Sequence, residues 1–256
     1  MAAAARGSSV RVAWVTHHVA RYVDETWLLP GGVGGAEMTD AAMMEQAPTD
    51  IDIDVIHAER WAEALDYDRV VITGTDLLTD EAMFRLADTS PLVWVHHQQT
   101  PNAARRELFS QAKPFVTMSE AHSRVEHEWS DVPSVWCHGH IDLTDIDGSQ
   151  QKDTAALWAA RNHPQKGLLA ARRWARANHL LLTELSSVPR REVLDEMQRH
   201  EYFVFLPQAF DSCPRTLIEA QAAGCTIVTN SNAGRVDEGP LEEVMAAQAP
   251  RFWNWL

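Results

Sequence analysis

Short apolar runs rich in Val, Ile and Leu recur along the chain, and most are followed by a stretch of helical character. In the first half they are VRVAWV (10–15), IDIDVI (51–56), RVVIT (69–73), LVWV (92–95), PFVTM (114–118) and SVWC (134–137). In the second half they are AALWA (155–159), HLLLT (179–183), YFVFL (202–206) and CTIVT (225–229). Runs this short, alternating with helical segments, predict parallel strands joined by helical crossovers. The polar, Gly-containing stretch HGHIDLTDIDGSQQKDT (138–154) carries no helical stripe and divides the two series. It reads as the linker between two α/β units, residues 1–143 and a smaller one over 144–256. The closing APRFWNWL holds Phe252, Trp253 and Trp255, aromatics that would be awkward on a free tail and are expected to dock on the body.

Composition narrows the function classes. The chain has 256 residues, 45% of them hydrophobic, enough for the cores of two units. A formal net charge of −14 argues against a broad electrostatic grip on nucleic acid or an anionic membrane. The strip Arg172, Arg173 and Arg176 is the first place a polyanion would be sought, with Arg105 and Arg106 a weaker second. Cys137, Cys213 and Cys225 are far apart and form no C-x-x-C, which suits a reducing, cytoplasmic setting better than a disulfide framework. No segment reaches the apolar length of a membrane span. Asp52 and Asp54 read as one face of a strand, HSRVEHE (122–128) as helix surface and CHGH (137–140) as linker, so no metal is expected.

Four motifs carry candidate chemistry, and all fall at strand ends, where open α/β sheets bind ligands. After YFVFL, Pro207 stops the strand, Asp211 and Ser212 follow in a loop, and a helix begins near Pro214 and ends at Gly224. Its first turn, with Thr216 and Leu217, offers amide N–H groups and a positive dipole end to a phosphate. Asp211 and Glu219 could hold sugar and ribose hydroxyls, although a capping Asp and a surface Glu would give the same spacing. In ARNHPQKG, Arg161 and Lys166 follow a strand and could neutralise a diphosphate, or be two solvated charges. PGGVGGAE (30–37), with Gly34 and Gly35, permits close backbone approach to a ligand but is neither a G-x-G-x-x-G fingerprint nor a P-loop. In VWVHHQQTP, one of His96 and His97 could point into the cleft.

Taken in order, these motifs resemble those of the family 4 glycosyltransferases. The segment from Ser187 to Gly234 is similar to that family's nucleotide-sugar site, with Asp211 and Glu219 at its E-x7-E pair. RNHPQKG is similar to its Arg-x4-Lys-Gly clamp, GGVGGAE to its Gly-rich loop, and SEAH (119–122) to a common element of its N-terminal domain. The resemblance implies the GT-B architecture, an α/β fold of two facing Rossmann-like domains with the C-terminal one small. It implies a retaining enzyme that takes a nucleoside-diphosphate sugar, needs no metal cofactor, and lets the leaving phosphate help take the acceptor's proton. Glu219 would bind the ribose, Arg161 and Lys166 the diphosphate, and Ser212, Thr216 and Leu217 would lie on the donor. Pro189 and Arg190 would sit near the base, Asp211 on the donor sugar, Gly34 and Gly35 at the phosphates, and His97 or His96 at the sugar or acceptor. Three features depart from the family pattern: Asp stands for the first Glu, no Gly follows it, and the chain is short. The expected acceptor is a small glycan or metabolite. The alternatives are a hydroxymethylated base in DNA, as in viral DNA-modifying enzymes working in a host cytoplasm, or a nucleotide-sugar-binding module without catalysis.

Overall fold

The computed structural model describes residues 9–16, 35–234 and 240–256, and the apolar runs form two separate parallel sheets in it. The first contains β1 (Val10–Thr16), β2 (Ile51–His57), β3 (Arg69–Ile72), β4 (Leu92–Trp94), β5 (Phe115–Thr117) and β6 (Val135–Trp136). Their order is β2-β1-β3-β4-β5-β6. With β1 between β2 and β3, the chain changes its direction of growth there, which opens a crevice beyond the strand C-termini. Helices α1 (Gly35–Glu45), α2 (Asp80–Ala87), α3 (Ala103–Gln111) and α4 (Glu120–Ser130) belong to this half. Alternate strand residues serve opposite faces. Ala13, Val15, Ile72 and Val93 pack with Met83, Leu86, Leu108 and Phe109 of α2 and α3. Val12, Trp14, Val71, Trp94 and Val116 form the other face.

The second sheet has β7 (Asp153–Ala159), β8 (Leu182–Leu185), β9 (His200–Phe205) and β10 (Thr226–Thr229) in the order β10-β9-β7-β8. Helix α5 (Leu168–Ala177) covers one face through Ala171 and Ala175. Helices α6 (Arg190–Arg199) and α7 (Arg215–Ala222) cover the other through Leu194, Met197, Leu217 and Ala220. β8 starts later than HLLLT predicts. His179 turns back with φ 58°, and the Leu180 N–H donates to the Ala175 carbonyl at 2.9 Å, so Leu180 closes α5 instead of entering the sheet.

The last helix, α8 (Leu241–Trp253), packs on the first sheet, although it falls in the unit expected over 144–256. The Phe252 ring lies 5.8 Å from that of Trp14 and 4.9 Å from that of Trp94. Trp253 Nε1 donates to the Met43 carbonyl at 3.0 Å. The physical reason is cover: among the described residues Met43 and Met44 of α1 lie over part of the Trp14 and Trp94 face, and the aromatic end of the chain packs over it as well. Among the described residues no helix is long and apolar enough to cross a membrane.

Candidate functional site

The loops after β7 and β9 carry the charged residues of the second half. A short 3-10 turn, Pro164–Lys166, ends at Gly167 with φ 78°. A Cβ there would lie 1.9 Å from the Leu206 carbonyl oxygen, so only glycine lets this turn press against the end of β9. Trp158 Nε1 fixes the same turn by donating to the Lys166 carbonyl at 3.1 Å. Lys166 Nζ is thereby aimed at Asp211 Oδ2, 2.5 Å away, and both side chains are partly open, at 34% and 17% exposure. The Asp211 backbone is held by a bridge to Ala233 and by the Gly234 N–H, which donates to its carbonyl at 2.7 Å.

A second pair lies one helix away. Arg190, first residue of α6 after Pro189, donates from Nε to Glu219 Oε1 at 2.8 Å and from Nη2 to the Asp142 carbonyl at 3.1 Å. Glu219 is buried in α7. The Leu217 N–H is used by the Pro214 carbonyl at 2.9 Å, so the helix itself leaves the Arg215 and Thr216 amides for an anion. Both predicted carboxylates are therefore present at the helix start, each held by a predicted cation.

The two halves meet at these same strand ends. Ser212 Oγ donates to the His96 carbonyl, and Ser119 Oγ donates to the Ser212 carbonyl at 2.7 Å. Arg215 Nη1 donates to Thr39 Oγ1 at 3.2 Å and the His140 carbonyl at 3.4 Å. Arg161 lies 3.9 Å from Glu37 Oε1 in the first turn of α1. Ser212, expected on the donor, thus spends its hydroxyl on joining the halves. Gly34 lies outside the described residues, and Gly35 begins α1.

The two histidines separate cleanly. The His96 side chain is 6% exposed, with Nε2 2.9 Å from Asp40 Oδ1 and its ring 4.6 Å from that of Trp94. Burial between a strand tryptophan and a helix carboxylate removes it from a ligand's reach. His97 is 56% exposed, with Nε2 2.7 Å from Asp76 Oδ2. Asp76 raises its pKa from the ordinary value of 6.5, chiefly by that hydrogen bond.

HSRVEHE is helix surface only in part: Arg124, His127 and Glu128 are exposed, His122 and Glu126 are not. His122 and Glu126 are fully buried: the Met118 N–H donates to His122 Nδ1 at 3.2 Å, and His122 Nε2 reaches Glu126 Oε1 at 3.3 Å. The Gln99 N–H also donates to Glu126 Oε1, at 2.9 Å, which ties the loop after β4 to α4. Cys137 and His138, read as linker, are buried as well, and the His138 N–H donates to Gln248 Oε1 of α8 at 3.0 Å. On α5, Arg172 is paired with Glu184 at 2.6 Å, which leaves Arg173 and Arg176 of the basic strip. The described residues hold no cluster of three or more metal-ligating side chains.

Sequence reasoning missed Asp76, Arg105, Glu37, Ser119 as an interdomain contact, and Arg215. Arg215 stands inside the segment already singled out, and a cation beside Pro214 at a helix start was the available signal. Glu37 and Ser119 also stand in quoted motifs, but all four of the others come from separate crossovers, and only the fold brings them to the cleft.

No family model matches the chain, and no curated protein matches it. Solved structures do. A glycosyltransferase of avilamycin A biosynthesis, AviGT4, is 15% identical with a TM-score of 0.60 over 95% of this chain and 93% of its own. Anabaena HepE, in complex with UDP and glucose, is 12% identical with a TM-score of 0.58 over 95% and 90%. The lipopolysaccharide outer core galactosyltransferase WaaB is 11% identical with a TM-score of 0.55 over 96% and 94%. At such identities the likeness is one of fold, and it spans both halves of the chain: this is the GT-B fold, two facing Rossmann-like domains of parallel sheet.

Proposed function

We propose that the protein is a glycosyltransferase that moves a sugar from a nucleoside-diphosphate sugar to a hydroxyl of a small glycan or metabolite, with retention of anomeric configuration. The observation that carries this reading is the pair of cation–carboxylate contacts at the start of α7, Lys166 with Asp211 and Arg190 with Glu219. The GT-B fold supports it, as does the HepE structure with UDP and glucose, which shares that fold.

In this reading the donor replaces internal pairings with its own. Lys166 exchanges Asp211 for the diphosphate, and Asp211 turns its released oxygen to the sugar hydroxyls. A contact this open to solvent contributes about 0–1 kcal/mol, so the exchange costs little. Arg161 and the amides of Arg215 and Thr216 share the phosphate charge, the helix end adding its dipole. Glu219 accepts from the ribose, and Pro189 and Arg190 border the base. By the resemblance Gly34 and Gly35 would serve the phosphates from the first domain. These cations hold the leaving diphosphate without a divalent ion, so a chelator should leave turnover unchanged.

The test is release of nucleoside diphosphate from a panel of nucleotide sugars, UDP-glucose first, by the intact chain and by Glu219→Gln. The reading expects release with at least one donor and a fall of about ten-fold or more in donor affinity in the variant, since hydrogen bonds to charged groups contribute about 1.5–3 kcal/mol. Binding without release under every acceptor tried would instead identify a sugar-nucleotide-binding module.

A further inference from the structure

Two carboxylates flank the start of α7, and their cations hold them on different terms. The Lys166–Asp211 contact is open to solvent on both sides, so a ligand displaces it at little cost. The Arg190–Glu219 contact is closed on the carboxylate side. The Glu219 side chain is 4% exposed, and Arg190 Nε donates to its Oε1 at 2.8 Å while Nη2 is tied to the Asp142 carbonyl at 3.1 Å. Opening this contact would leave a buried carboxylate without its cation, which is far more costly than parting two open groups. Arg215, four residues earlier on α7, does not stand in for Arg190, because its Nη1 donates to Thr39 Oγ1 and the His140 carbonyl. Among the described residues nothing donates to Glu219 Oε2, which is therefore the oxygen left for a ligand.

We infer that Arg190 restricts Glu219 to a single ribose hydroxyl, so that the donor site accepts 2′-deoxyribonucleoside diphosphates as well as their ribonucleoside counterparts; this rests on the glycosyltransferase reading above. A carboxylate grips a ribose diol by offering one oxygen to each hydroxyl. Here Arg190 keeps Oε1. In the proposed placement Arg190 borders the base, and the 2′-hydroxyl stands on the carbon next to the one that bears the base. The occupied oxygen is thus on the 2′ side, and Oε2 accepts from the 3′-hydroxyl. Turning the carboxylate to serve both hydroxyls would give up a charge-assisted bond to gain a hydroxyl bond, with no net advantage. Arg190 is in this way a specificity-determining residue that acts through Glu219 and needs no contact with the sugar.

The experiment measures the affinity of the intact chain for UDP, 2′-deoxy-UDP and 3′-deoxy-UDP, or for the same set built on GDP or ADP if that is the base bound, in the wild type and in Arg190→Met. In the wild type the 2′-deoxy form should bind within about three-fold of the ribonucleotide, and the 3′-deoxy form about ten-fold or more weaker, the loss of a hydrogen bond to a charged group. Arg190→Met frees Oε1, so the preference for the ribonucleotide over its 2′-deoxy form should rise to about ten-fold or more. An arginine that only fastened α6 to the Asp142 carbonyl would, when replaced, lower the unliganded midpoint and weaken all three ligands alike, with their ratios unchanged. Such unchanged ratios would overturn the inference. The wild type decides it without the variant as well: a loss of about ten-fold or more with the 2′-deoxy form contradicts it, and leaves the transferase reading in place. A wild type that binds none of these diphosphates would overturn that reading and this inference with it.

Discussion

His122 shows what a single buried side chain commits the fold to. Its Nδ1 is taken by the Met118 N–H and its other nitrogen faces Glu126, at the base of the loop that carries His96 and His97. Burial, the largest effect, holds its pKa below the ordinary 6.5 despite Glu126. The folded state therefore binds fewer protons than the unfolded chain once the pH falls below 6.5. Stability is fully present above 6.5 and is lost as the pH falls from there through the lowered folded value. The loss should approach about 1.4 kcal/mol per pH unit. Denaturant titrations over that range should show this slope in the wild type and a flatter one in His122→Gln. The residue was legible only as chemistry. Nothing apolar marks positions 122 and 126 as a buried face, so an i, i+4 pair of polar residues passes for surface. Lys166, Arg190, Asp211 and Glu219 could be singled out because each sits at a short offset from a strand end, in the crossovers that follow β7, β8 and β9. Asp76 and Arg105 could not, because their meeting depends on how two crossovers pack.

Among the elements, the turn Pro164–Lys166 governs where the Lys166 ammonium, the proposed partner of the diphosphate, points. Gly167 has a left-handed backbone, and the Leu206 carbonyl lies where a Cβ would stand. Backbone strain alone costs about 1–3 kcal/mol in such a position, and the collision adds to it. Gly167→Ala should lower the free energy of unfolding by at least that much, seen as a lower denaturant midpoint, and weaken donor binding together with it, because Lys166 moves with the turn. An unchanged midpoint would contradict the geometry. Most strands were legible from period and length, because strands buried on both faces are written as unbroken apolar runs. β8 was misplaced because three leucines in HLLLT say nothing of where the backbone reverses; the positive φ at His179 decides it.

For the whole molecule, the chain's last helix completes the first domain's core, so the two domains are joined by two passes of the chain. The fully buried Phe252 lies between Trp14 and Trp94. Phe252→Ala should destabilise the protein by about 3–5 kcal/mol, the range for removing a buried aromatic ring. Tryptophan fluorescence should report the loss in the first sheet, more than 150 residues earlier in sequence. Docking of the aromatic end could be anticipated from its composition, but its partner could not. The covering face is made by strands β1, β3, β4 and β5, and its incompleteness exists only in the folded sheet.

The account's central claim is that the start of α7, with Lys166 and Glu219, is a nucleoside-diphosphate site. The most direct test is the thermal unfolding midpoint of the wild type and Lys166→Ala with UDP, GDP and ADP in turn. A ligand at a hundred times its dissociation constant adds about 2.7 kcal/mol, a plainly measurable shift. The account predicts that at least one of the three raises the wild-type midpoint. It also predicts that Lys166→Ala loses most of that shift while its unliganded midpoint stays near that of the wild type, because Lys166 is a loop cation outside the core. No shift with any diphosphate, or an equal shift in the variant, would contradict it.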